Sequence, residues 1–344
     1  EDAAIFSRYY DVTKGGNWEG HNILHVVSTL AEIAAEIGVS EETVRESLAR
    51  SRAKLFELRE KRVYPGRDDK VLTSWNGLML KSFALASRIL VREDYREIAL
   101  KNARFILDTM QTPEGRLLRT YKDGKAHLNG FLEDYSYFID GLLGLYEATF
   151  DLKWLEEARK LADIMLEKFW DESDQTFFDT ASDHEQLVTR PRSFYDNAVP
   201  GGNSVAADVL LRLALLTGDP DSRYTDKATG VLGRLGEIAA QNPSSFGRLL
   251  GALDFYLGAP FEVALVGNEN EPGAQALLEV VYGNYLPNRV VMLLADGQDS
   301  AGWPLLEERP RQKGLPTAYV CQNYACQQPV VTPGELVEQL KLKQ

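Results

Sequence analysis

The sequence predicts a mainly α chain: an incomplete (α/α)6 toroid of helical hairpins over residues 1–258, followed by a small α/β appendage over residues 259–344. Three observations carry that expectation. Helices that are apolar almost all round alternate with ordinary amphipathic ones. The apolar helices begin near residues 74, 131 and 201, a repeat of 57 to 70 residues. After residue 258 the texture changes to short apolar runs of strand length.

The first amphipathic helix is expected at Glu41–Arg62, behind a Ser40 cap, with Glu41 and Glu42 at its start and Arg59, Lys61 and Arg62 at its end, which suits the helix dipole. Gly15–Asn22 before it reads as a loop. Ser74–Leu90 is the first inner helix, with Lys81 and Arg88 its only charges, and Asp94–Met110 is its outer partner. A β-like excursion follows at Gly115–Ala126, turning at Asp123-Gly124. The second pair is Phe131–Thr149, where Gly141 and Gly144 permit close helix approach, and Leu152–Phe169; a further excursion is expected at Thr176–Thr189. Gly201–Gly218, Asp221–Gln241 and Ser245–Leu257 continue the alternation. A ring closed by six hairpins needs more helices than these, and the remainder is expected upstream of Glu1; an open helical array is the alternative. Strand Phe261–Val266, helix Gly273–Tyr282, strand Arg289–Leu294, strand Ala318–Cys321 and helix Gly334–Lys343 make the appendage.

With 44% hydrophobic and 26% charged residues the composition is globular, and 344 residues suffice for a large core. The 38 basic and 51 acidic residues leave a net charge of −13, which repels phosphate backbones and anionic lipid, so neither nucleic acid nor a membrane is an expected partner. No apolar run approaches the roughly 20 residues of a spanning helix, there is no signal-peptide pattern, and a soluble cytoplasmic chain is expected. No Gly-x-Gly-x-x-Gly or Gly-x-Ser-x-Gly occurs, so no nucleotide, no other cofactor and no hydrolase triad is expected.

Alternate helices of stacked hairpins run parallel, so the inner-helix N-termini converge on one rim, and each inner helix opens with a polar and aromatic cluster. Asp69 precedes Trp75 and Asn76; Glu133, Asp134 and Tyr135 open the second inner helix; Asp196 and Asn203 flank the start of the third. Carboxylates serve proton transfer, amides bind hydroxyls and aromatic faces cover a pyranose, so a sugar is the expected small-molecule ligand. Asp69, Asp134 and Asp196 are the acid and base candidates, with Trp75 and Tyr135 stacking on the ring and Asn76, Glu133 and Asn203 binding substrate. The competing explanation is helix capping, where Asp, Asn and Ser belong in any protein. His21 and His25 are four apart but lack a third ligand, so no metal is expected; His25 is assigned to the cavity wall. Cys321 and Cys326 are five apart and read as buried free thiols, with a reversible redox pair as the alternative.

Several of these clusters resemble a known family. Gly16-Asn17-Trp18-Glu19-Gly20 with Asn22-Ile23-Leu24-His25, the run Arg67–Gly77, Phe131–Tyr135, Tyr146–Asp151, Asn203–Ala206 and Ala318–Cys321 are similar to the spermatogenesis-associated, thioredoxin-domain-containing family. The resemblance implies a longer protein with an N-terminal thioredoxin-like domain, a partner within the same chain, and a toroid similar to those of N-acylglucosamine 2-epimerases and six-hairpin glycosidases. Pro200-Gly201-Gly202-Asn203-Ser204 departs from the family's Pro-Ser-Gly-Asn-Ser, and carboxylates stand where epimerase relatives use histidines. The resemblance leaves two functions open: a carbohydrate-active or carbohydrate-binding toroid, or a non-catalytic module presenting clients or a redox partner to the thioredoxin-like domain.

Overall fold

The computed structural model describes residues 1–185, 188–323 and 325–342. The chain divides into two compact units, Glu1–Asp68 and Asp69–Gln344. The first holds α1 (Asp2–Tyr9), α2 (Leu30–Ile37) and α3 (Glu41–Glu60) around Ile5, Phe6, Ile33, Ala34, Val44 and Leu48. Of these three helices the periodicity predicts only α3; α1 and α2 are eight residues each, too short for a convincing repeat. Thr29 and Glu32 form a reciprocal capping box at α2, and Ser40 caps α3 through the Thr43 N–H, as its sequence position implies. The loop at Gly15–Asn22 is held by Asn17, whose amide donates to the Asp11 and Ile23 carbonyls.

The second unit is mainly helical with small sheets. Inner helices α4 (Thr73–Ile89), α6 (Leu132–Thr149), α8 (Gly202–Thr217) and α10 (Gly247–Leu257) pack in a row in chain order, with α5 (Glu93–Thr109), α7 (Lys153–Phe169) and α9 (Arg223–Gln241) as the outer partners of the first three. Helices α6 and α8 are buried on nearly every side, as their composition requires. The ends of the row differ. Helix α4 is expected to be buried on most sides, yet Trp75 is 61% and Met79 50% exposed; α4 stands at the end of the row and packs chiefly on α5 and α6, with smaller contacts to β1 and β2.

Glycine sets how closely α4 and α6 cross. A Cβ at Gly77 would lie 2.6 Å from the Tyr137 carbonyl carbon, and one at Gly141 would lie 2.9 Å from the Gly77 oxygen. Backbone meets backbone there, so no side chain fits. The contacts advance together along both helices, from Ser74 beside Asp134 to Lys81 beside Asp140, which makes α4 and α6 parallel.

Between α5 and α6, β2 (Leu118–Lys122) and β3 (Lys125–Asn129) form a hairpin, and β1 (Val71–Leu72), immediately ahead of α4, pairs with β2 to give an antiparallel sheet of order β1-β2-β3. Its hairpin turns at Asp123-Gly124, both at positive φ, as the sequence predicts. The second excursion is smaller than expected: β4 (Trp170–Asp171) pairs with β5 (Thr176–Phe177), and the chain beyond runs as loop apart from residues 186 and 187, which lie outside the described residues.

The C-terminal segment contains β6 (Phe261–Val266), α11 (Pro272–Tyr282), β7 (Arg289–Leu294), β8 (Thr317–Gln322), β9 (Ala325–Cys326) and α12 (Pro333–Gln339). The expected last helix extends to Lys343, which lies outside the described residues. The sheet order is β7-β6-β8-β9, with β6 and β7 parallel across α11. The boundary expected at residue 258 falls inside the second unit. Leu293 N–H donates to the Tyr146 hydroxyl of α6 and Arg212 of α8 donates to the Arg289 carbonyl, so this sheet shares the helices' core.

Candidate functional site

Two carboxylates, Asp134 buried and Asp196 half-buried, gather the starts of the inner helices. Asp134 has no exposed surface; its Oδ1 accepts from the Ser74 N–H at 2.9 Å and its Oδ2 from the Phe131 N–H at 2.8 Å and Arg119 Nη1 at 3.1 Å. It therefore ties the first turn of α4 to that of α6. Asp196 does the same for the next pair, accepting from the Gly201 N–H at 2.6 Å ahead of α8 and from the Arg248 N–H at 2.7 Å in α10. Unpaired N–H groups and the positive dipole ends of helices favour carboxylates at these points. Burial lifts the Asp134 carboxyl to about 6, against the pull of Arg119 and the backbone donors.

Around this end the other expected residues fall into two groups. Glu133 is a third exposed and pairs with Arg119 Nη2 at 2.9 Å, while the Arg119 guanidinium lies 4.3 Å from the centre of the Phe131 ring. Trp75, one residue from the Ser74 N–H, presents most of its indole to solvent, and Asp69 is also exposed. Asn76 donates to the Leu72 carbonyl at 2.8 Å and accepts from Asn102 at 2.7 Å, joining α4 to α5.

Tyr135 and Asn203 correct the expectation. The Tyr135 ring is wholly buried against Phe169, and its hydroxyl accepts from the Leu117 N–H at 3.0 Å, so it has no face on which a sugar could stack. Asn203 is also fully buried, exchanging hydrogen bonds with the N–H and carbonyl of Phe177, and so anchors β5 instead of meeting ligand. Both lie on the faces of their helices that turn into the core. His25 belongs to the first unit, with Nδ1 3.1 Å from the Ile23 carbonyl and Nε2 3.6 Å from Asp11. Among the described residues no group of three or more His, Cys, Asp or Glu side chains is placed to hold a metal ion, and no helix is long and apolar enough to cross a membrane. Cys321 and Cys326, expected as free thiols, are joined in a disulfide because β8 and β9 place them directly opposite each other.

A second polar cluster escaped the sequence reading. Lys81 Nζ of α4 lies 2.6 and 2.8 Å from the two Asp140 oxygens of α6; Arg248 of α10 donates to Asp140 at 2.8 Å and also to Asp208 of α8, which accepts from Arg212 at 3.0 Å. One ion chain thus crosses all four inner helices. Burial works against the Asp208 charge, yet Arg212 and Arg248 hold its carboxyl below the ordinary range. A cavity of about 320 Å³ opens beside the chain, walled by Lys81, Asp140, Glu147, Arg212, Tyr282 and Arg289. The signal was present in the sequence: Lys81, Asp140 and Asp208 are charges within largely apolar helices and need partners, but local spacing names only Arg212, four residues after Asp208, and not the partners on other helices.

No family model matches the chain. Human spermatogenesis-associated protein 20 is 33% identical over 96% of this chain and 45% of its own length, and the rat protein of the same name is 34% identical over the same shares. An uncharacterised protein of Caenorhabditis elegans is 25% identical over 97% of this chain and 48% of its own. The chain thus spans about half the length of the curated relatives it matches. Among solved structures, cellobiose 2-epimerase from Bacillus thermoamylovorans aligns with a TM-score of 0.43 at 12% identity over 68% of each chain. A GH76 α-mannanase of Bacteroides thetaiotaomicron aligns with a TM-score of 0.40 at 16% identity over 50% of this chain and 46% of its own. Over 96% of its length the chain is homologous to human spermatogenesis-associated protein 20, in keeping with the resemblance carried by its Arg67–Gly77 and Phe131–Tyr135 motifs.

Proposed function

We propose that the second unit is a carbohydrate-recognising α/α module, the incomplete toroid of the sequence reading, with its ligand at the N-terminal end of the inner helices. The observation that carries this reading is the convergence there of α4, α6, α8 and α10 under Asp134 and Asp196, beside an exposed indole and a reachable carboxylate–guanidinium pair. Trp75 supplies an apolar face, Glu133 and Arg119 supply an acceptor and donors for hydroxyls, and Asp69 adds a second exposed carboxylate. Asp134 and Asp196 position these groups. Binding is favoured over hydrolysis because a glycosidase needs two carboxylates flanking open space. Asp134 has the raised carboxyl of a working acid but no open surface.

The test is a thermal-shift screen against neutral, amino and uronic mono- and oligosaccharides at millimolar concentration, with product analysis on every hit. A ligand at ten times its dissociation constant adds about 1.4 kcal/mol, a rise of roughly one to three degrees at this size. Shifts lost in Trp75→Ala and Glu133→Gln support the reading, and turnover lost in Asp69→Asn with binding retained would extend it to catalysis. A panel without any shift refutes it. That outcome favours the second reading, an interaction module that serves the thioredoxin-like domain implied for the longer protein, for which the exposed Trp75, Met79 and Ile89 of α4 speak.

A further inference from the structure

The two sulfurs of the Cys321–Cys326 disulfide have unequal surroundings. Cys321 is 2% exposed on β8, held between β6 and β9, whereas Cys326 is exposed on the two-residue edge strand β9. One guanidinium touches both: Arg309 Nη2 lies 3.5 Å from Cys321 Sγ and 3.3 Å from Cys326 Sγ. Arg309 is itself placed by its Nε donating to the Leu305 carbonyl at 3.3 Å and by stacking 4.9 Å from the centre of the Tyr319 ring, two residues before Cys321 on the same face of β8. Glu262 stands opposite Cys321 on β6; burial raises its carboxyl and Arg309 draws it back down. The bond closes a loop of sequence separation five, and β8 is already paired with β6 from Thr317 to Cys321. So short a loop constrains little of the unfolded chain, and the sheet does not depend on it.

We propose that Cys321–Cys326 is a thiol–disulfide exchange site for a dithiol, with attack at the exposed Cys326 and Cys321 leaving beside Arg309. A thiolate of the dithiol bonds to Cys326 Sγ as the Cys321–Cys326 bond breaks, and the electron pair departs on Cys321 as a thiolate paired with the Arg309 guanidinium. The second thiol of the dithiol, as its thiolate, then displaces Cys326 from the mixed disulfide. The dithiol ends oxidised to its own disulfide and the two cysteines end reduced, taking the two protons the dithiol has lost. Arg309 serves throughout as a positioning and charge-stabilising residue. A low-pKa leaving thiol departs faster, which is what the adjacent cation provides.

The test uses the oxidised 344-residue chain under native conditions, with dithiothreitol as the dithiol, acid quenching, differential alkylation and mass spectrometry. The folded chain should be reduced to two thiols, with its helical circular dichroism unchanged. In Cys321→Ser the remaining Cys326 should form a mixed disulfide with oxidised glutathione more than tenfold faster than Cys321 does in Cys326→Ser. Arg309→Gln should slow reduction by roughly threefold to tenfold, with partial recovery in Arg309→Lys. Three results would overturn the proposal: a pair that yields to dithiothreitol only when urea unfolds the chain, equal trapping at the two cysteines, or a rate indifferent to Arg309.

Discussion

Replacing Gly77 by Ala puts the α4–α6 crossing to a quantitative test. The added Cβ would sit 2.6 Å from the Tyr137 carbonyl carbon, 2.7 Å from the Phe138 nitrogen and 2.8 Å from the Tyr137 oxygen. These are backbone atoms of a buried helix and cannot rotate away, so the helices must part by close to 1 Å, at the upper end of the roughly 1–3 kcal/mol that overpacking costs. Removing a glycine from a helix interior returns about 1 kcal/mol. The net expectation is a loss of about 2 kcal/mol, or a melting temperature lower by roughly 2–4 °C at this size. Gly144→Ala is the control on the same helix pair. Its Cβ would meet Lys81 Cγ at 3.5 Å, Lys81 Cα at 3.6 Å and Ala84 Cβ at 3.8 Å, all ordinary contact, so the propensity gain should survive and stabilise by up to about 1 kcal/mol. Thermal unfolding followed by far-ultraviolet circular dichroism measures both. Equal shifts, or a Gly77→Ala variant as stable as the parent, would refute the backbone-on-backbone crossing.

Two other perturbations bear on the polar groups between the inner helices. Burial raises Asp134 from an unfolded value of 3.8 to about 6, so its contribution to stability is complete below about pH 3.8 and is lost as the pH rises through 6. Urea midpoints taken from pH 4 to 7 should therefore fall in the parent relative to Asp134→Asn, and parallel curves would remove the assignment. Arg248→Leu leaves Asp140 and Asp208 facing each other without their shared cation, which should cost about 3–5 kcal/mol. Equilibrium unfolding that shows a loss below 1 kcal/mol would mean that Lys81 and Arg212 suffice.

The capping explanation and the ligand-site explanation for the inner-helix carboxylates prove not to be exclusive in space. Asp134 and Asp196 spend their oxygens on helix N–H groups, and by doing so hold Glu133, Arg119 and Trp75 at the same end of the unit. The adjacent pair Glu133-Asp134 shows why residue type alone could not separate the roles. On a helix, successive side chains point about 100° apart, so one carboxylate enters the helix–helix seam while its neighbour reaches solvent.

What the sequence determined by itself is what local periodicity encodes. The expected Leu152–Phe169 and the observed Lys153–Phe169 differ by one residue, the Asp123-Gly124 turn stands where it was read, and glycine at 141 does mark a close helix crossing. Each follows from spacing within one element or one turn. Tertiary structure alone decided the rest: that Tyr135 and Asn203 turn inward, that Cys321 faces Cys326, and that Lys81, Asp140, Arg248 and Asp208 share one ion chain. Those ion partners stand 59, 108 and 40 residues apart along the chain. A helix's own period says which residues share a face, but the charge that awaits a face is supplied by a helix elsewhere in the sequence, and only packing brings the two together.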